Sequence, residues 1–107
     1  MKIIVKTQFE DYHKWANAPV QVKFLRNLHR HIFYVEISCE VTHDDRELEF
    51  FIVKKQLNQI IQKLVKPMGS TKSCEQMAIV IKNQLKSVYN RDFIVKIFED
   101  NENGVEV

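Results

Sequence analysis

Hydrophobic and polar positions alternate most clearly from His29 to Val41. His29, His31, Phe33, Val35, Ile37, Cys39 and Val41 fall on one parity, and Arg30, Tyr34, Glu36, Ser38 and Glu40 on the other. Successive side chains of a strand point to opposite faces, so this is a long strand with one buried face. Residues 2 to 9 alternate as well, with Ile3, Val5, Thr7 and Phe9 on the more buried side, and predict a first strand. Between the two strands, Glu10 to Asn27 has no sustained period and contains Asn17-Ala18-Pro19, which predicts a long connection with a turn of helix.

After the turn residues His43-Asp44-Asp45, Arg46 to Glu49 is expected to begin a return strand. Val53, Leu57, Ile60, Ile61 and Leu64 then recur at helical spacing, and Pro67 with Gly69 closes that first helix. Ser73 and Gln76 have capping-box spacing, and Cys74, Met77, Ala78, Ile81, Leu85 and Val88 form one apolar stripe of a second helix ending at Tyr89. Asp92 to Glu99 alternates again, and Asn101-Glu102-Asn103-Gly104 turns the chain into a short last strand. The fold class expected is therefore α+β, as one domain over residues 1–107, with no internal repeat.

Composition agrees with a folded chain. Of 107 residues, 45% are hydrophobic and only two are Gly and two Pro, which excludes disordered and collagen-like classes. Sixteen basic against fourteen acidic residues leave a charge of +2 with the signs interspersed, which gives nucleic-acid binding no support. No apolar run approaches the roughly 18 residues of a membrane helix, and the charged first residues do not read as a secretory signal. The expectation is a cytoplasmic protein without membrane contact, in which Cys39 and Cys74 stay free thiols.

The candidate chemistry lies in the histidines. His29 and His31, two apart on a strand, point to the same apolar side, where bare imidazole nitrogens cost on the order of 1–3 kcal/mol each unless satisfied. A metal ion satisfies both, and three neutral imidazoles with an open fourth position form a catalytic-type zinc site. Spacing leaves the third ligand open between His13 and His43.

Phe9-x-x-x-His13 and His29-Arg30-His31-x-Phe33-x-Val35-x-Ile37 resemble the metal-binding motifs of the 6-pyruvoyl- and 6-carboxy-tetrahydropterin synthases, which are T-fold enzymes. The likeness extends to Leu48-Glu49-Phe50-Phe51-x-Val53-Lys54, to Ser73-Cys74-Glu75-x-x-Ala78 and to Val95-Lys96-Ile97-Phe98-Glu99. It implies zinc on His13, His29 and His31, with His13 as third ligand. It further implies a pterin- or purine-like ligand held by Glu99, and a four-stranded antiparallel sheet with two helices on one face. Subunits would join edge to edge into a homo-oligomeric barrel.

The sequence departs from that family in its proton-transfer groups. Leu25 stands where the family has a catalytic cysteine, and no histidine follows His43 to form the family's Asp-His pair. A Cys74 thiol in a first helical turn is a conceivable substitute, but its place in the apolar stripe reads as core. Arg30 replaces a glycine on the outer face, and Trp15 either stacks on a flat ligand or covers the core. Asp11, Glu49 and Glu75 are the remaining carboxylates that could move protons. The reading is a zinc-binding module with a ring pocket. The alternatives are an active lyase using substitute residues, or a protein-interaction scaffold.

Overall fold

A computed structural model describes residues 1–107. Four antiparallel strands form one sheet in the order β1 (Lys2–His13), β2 (His29–Glu40), β3 (Phe93–Glu99), β4 (Asn103–Glu106). Two α-helices, α1 (Phe50–Ile60) and α2 (Cys74–Tyr89), lie between β2 and β3 in the chain and supply the other half of the core. The α+β architecture is as the sequence predicts.

Alternation decides which face is covered. Val5 and Phe9 of β1, Phe33, Val35, Ile37 and Cys39 of β2, and Phe93, Val95 and Ile97 of β3 are buried in one cluster of 19 residues with α1 and α2. The opposite face mixes charged residues with apolar ones such as Ile4 and Tyr12, and Glu36 at its centre pairs with Lys6 at 3.6 Å and Lys96 at 3.2 Å across neighbouring strands. That charge ladder suits a face in contact with water.

β1 runs four residues beyond the expected end at Phe9, pairing with β2 from Lys2↔Glu40 through Phe9↔Phe33 to His13↔His29. Both strands are 12 residues long, and the molecule measures 51 × 23 × 19 Å. The connection from β1 to β2 contains a 3-10 stretch, Val20–Arg26, with the expected helical turn.

The return strand expected at Arg46 to Glu49 does not form. Glu47 turns back to accept from the Thr42 amide at 2.8 Å and hydroxyl at 2.6 Å, and it also pairs with Arg91. Arg46 has a positive φ of 53°, and Glu49 caps α1 by accepting from the Ile52 amide at 3.0 Å. Side chains that look like alternating strand positions are thus used for local capping, which competes with sheet formation. The Thr42 hydroxyl and amide bonds, helped by Arg91, hold the Glu47 carboxyl down at about 2. A carboxyl depressed in the folded state contributes stability that is present above its unfolded pKa and lost as pH falls toward the folded value. The stability difference between wild type and Glu47→Gln should therefore shrink as pH drops from about 4.5 to about 2. Urea midpoints across that range measure it, and a constant difference would contradict the assignment.

Two further details correct the sequence reading. α1 runs on into a π-helical turn, Ile61–Val65, whose wider winding brings Val65 to the core and leaves Leu64 41% exposed. In α2 the apolar stripe ends at Leu85, and Val88 is 43% exposed beyond it. The capping box of Ser73 and Gln76 starts α2 as expected, and Asn90 in the left-handed region ends it. The chain has no helix long and apolar enough to cross a membrane.

A candidate three-histidine metal centre

The pairing His13↔His29 at the ends of β1 and β2 determines where the imidazoles meet. His13, His29 and His31 all project from the helix-covered face at one end of the sheet. One ligand nitrogen from each lies within 4.8 Å of the other two. His43, the other candidate, is exposed past the far end of β2, 3.6 Å from Glu47. The structure thus brings together the three histidines named from the sequence and leaves the fourth apart.

Each ring is held through its Nδ1. His13 Nδ1 is 3.0 Å from the Lys72 carbonyl, His29 Nδ1 is 2.8 Å from the Asn27 carbonyl, and His31 Nδ1 is 2.7 Å from Asp100 Oδ2. A carbonyl only accepts, so His13 and His29 donate from Nδ1 and turn Nε2 toward the shared centre. The Nε2 atoms of His29 and His31 are buried and have no hydrogen-bond partner. Two orphaned acceptor nitrogens side by side are costly without a cation between them. Rings tied at one nitrogen by outer-shell partners and free at the other are the arrangement that zinc-binding imidazoles adopt. The residues present fit a zinc ion.

Glu99, the last residue of β3, faces this centre. Its Oε1 is 3.3 Å from His13 Nε2 and its Oε2 is 3.6 Å from His31 Nε2. The Glu99 carboxylate at its Nε2 raises the pKa of His13, against the opposing effect of burial, and the same contact lowers the pKa of Glu99. The Glu99 carboxylate at this point favours a cation among the three rings.

Beside the histidines lies a cavity of about 530 Å³, lined among others by His13, His29, Glu99, Trp15, Leu25 and Cys74. Its remaining wall comes from the start of α2 and from the β3–β4 turn at Asn103, Gly104 and Val105. Gly104 has no room for a side chain, because a Cβ there would collide with the Ile97 carbonyl and the Phe98 ring. Trp15 is half-exposed at this cavity, and its amide donates to the Leu25 carbonyl at 2.7 Å. Trp15 thus lines the cavity and is not part of the core cluster.

Cys74 also reaches the cavity, with its thiol 3.6 Å from Glu99 Oε1. Burial first, and then the neighbouring Glu99 charge, push the thiol up to about 12. A thiol so protonated donates to Glu99 and is no nucleophile near neutral pH. Both cysteines are free and buried. Of the other candidate carboxylates, Glu75 lines the cavity, Glu49 is spent as the α1 cap, and Asp11 is paired elsewhere. Arg30 on the outer face pairs with Glu10 at 3.2 Å, so it takes no part in the centre.

Sequence reading missed the support beneath His13. Lys72 is 4% exposed, and its ammonium lies 2.7 Å from Asp11 Oδ2 and 3.2 Å from the Lys66 carbonyl. With the Lys14 amide bonded to the Ser70 carbonyl at 2.7 Å, this ion pair clamps the loop before α2 onto β1. The Lys72 carbonyl is thereby presented to His13. The available signal was Asp11 itself, a carboxylate on the buried parity between Phe9 and His13. No protein-family model matches this chain, and no curated protein matches it.

Proposed function

We propose that this chain is a T-fold protein that binds zinc through His13, His29 and His31 and captures a flat pterin- or purine-like molecule in the adjoining cavity. The observation carrying this reading is the convergence of three imidazoles beside a ligand-sized cavity, two of them with buried, partnerless Nε2 atoms. Zinc in such a site supplies a Lewis acid that polarises a ligand oxygen. Glu99 supplies the acceptor edge for paired N–H donors of the ring, a strong bond when the carboxylate is ionised and half-buried. Trp15 and Leu25 offer apolar surface to the ring faces.

Binding is favoured over turnover by what the cavity lacks. Leu25 lines it at the position where the resembled synthases carry a cysteine, and Cys74 is held protonated. Glu75 is the one observation on the side of a lyase, since it lines the cavity and has no assigned partner there. As part of the same reading, β1 is a 12-residue edge strand with no strand on its outer side, and a second copy of the chain pairing along it would cover the exposed ladder.

Trp15 is the only tryptophan, so its fluorescence reports on the cavity alone. Titrating neopterin or guanine into zinc-loaded protein should give saturable quenching for at least one of them. Glu99→Gln should weaken it by roughly tenfold or more, the loss of a charge-assisted hydrogen bond. Absence of saturable quenching with both would sink the ring-binding reading. Triphosphate released from dihydroneopterin triphosphate, above the level of Glu99→Gln, would replace the binder with a lyase.

A further inference from the structure

The ladder between β2 and β3 ends at Phe33↔Glu99, one residue short of Ile32 and two short of His31. The peptide of Ile32 therefore needs partners that no strand residue provides. Asp100 provides them from a left-handed conformation, φ 51°, which aspartate tolerates better than most residues. Its amide donates to the Ile32 carbonyl at 2.8 Å, and its Oδ1 accepts from the Ile32 amide at 3.0 Å. One residue thus completes both bonds of a ladder step, and its second oxygen, Oδ2, is left 2.7 Å from His31 Nδ1.

We infer that Asp100 is a positioning residue of the metal centre, whose carboxylate fixes His31 as the Nδ1–H tautomer and aims its Nε2 at the point shared with His13 and His29. The inference rests on the metal-binding reading and adds to it the group that sets the third ring. His13 and His29 are oriented by backbone carbonyls, which any sequence would offer, whereas His31 depends on a side chain. Both Asp100 oxygens must accept, one from a peptide and one from a ring, and only a carboxylate of this length does both. Asparagine has the same shape but one oxygen fewer. With its oxygen kept on the Ile32 amide, its NH₂ meets His31 Nδ1, so the ring proton is driven to Nε2, where it blocks the metal. Glu99, the last residue of β3, stands on the other side of the same ring, 3.6 Å from the bare Nε2, where its charge favours a cation and does not hold the ring.

Asp100→Asn tests this. The variant is expected to unfold within a few degrees of wild type, yet to bind zinc about 10- to 100-fold more weakly in competition with a chromophoric chelator. A merely structural role would not move the second readout, the ¹⁵N spectrum of His31 in metal-free protein at about pH 8.5, above the ordinary histidine range. Wild type should show Nδ1 protonated and Nε2 bare, and the variant the reverse. Undiminished zinc affinity in the variant, or a wild-type His31 protonated at Nε2, would overturn the assignment. If the variant does not fold, the wild-type spectrum alone decides. If the protein takes up no zinc at all, the metal reading fails, and the two spectra still decide the role of Asp100.

Discussion

Replacing Lys72 with methionine should destabilise the fold by about 3–5 kcal/mol, the usual consequence of removing one member of a buried ion pair. The lysine side chain is 2% exposed and its Asp11 partner 18%, so the remaining carboxylate would be left in a desolvated site without a cation. Methionine fills most of the vacated volume, which keeps cavity formation out of the effect. A domain of this size has about 5–15 kcal/mol in total, so a third or more of it would be lost. Urea unfolding of Lys72→Met against wild type measures the loss. Adding Asp11→Leu should restore part of it, because an apolar pair in place of the ions leaves no orphaned charge. A single variant within about 0.5 kcal/mol of wild type would show that the pair is solvated and holds nothing.

The second large effect is expected from zinc itself. A ligand that binds only the folded chain stabilises it by about 4 kcal/mol when free at a thousand times its Kd. In a chain of 107 residues that corresponds to a rise in Tm of about 15 °C or more. The effect should vanish with a strong chelator, and magnesium should not reproduce it, since imidazole nitrogens suit zinc and magnesium prefers oxygen. It should also grow as pH rises, because imidazole must lose its proton to bind the metal, and the Glu99 carboxylate raises the pKa at which His13 does so. Calorimetry with and without zinc at two pH values tests both statements. An unchanged Tm at saturating zinc would contradict them.

Much of this site could be read from the chain because it depends on strand periodicity. The alternation from His29 to Cys39 placed His29 and His31 on the buried side of β2, where the structure has them. The third histidine of the cluster could not be read from spacing, since it depends on how far β1 continues past Phe9. Asp11 interrupts the apolar parity there and hides the last four strand pairs, because its charge is cancelled by Lys72, 61 positions later in a loop with no periodicity of its own. Asp100 is hidden for a related reason. It acts from a turn, and sequence patterns show that a turn exists without showing which peptide its side chain will complete. The hairpin expected at Arg46 to Glu49 fails on the same ground in reverse, since Glu47 and Glu49 spend their carboxylates on Thr42, Arg91 and the start of α1. Helical spacing named Leu64 for the core where a π-helical turn presents Val65. In each case an interaction between particular polar groups, or a local change of winding, overrides a periodic pattern that is otherwise followed.

The most direct test of the three-histidine centre is elemental analysis of the protein purified without added metal, as wild type and with His29→Ala and His31→Ala together. Wild type should carry close to one zinc per chain, and the double variant, still folded by circular dichroism, should carry almost none. Near-stoichiometric zinc persisting in the double variant, or a wild-type chain that stays empty even when zinc is supplied, would contradict the account.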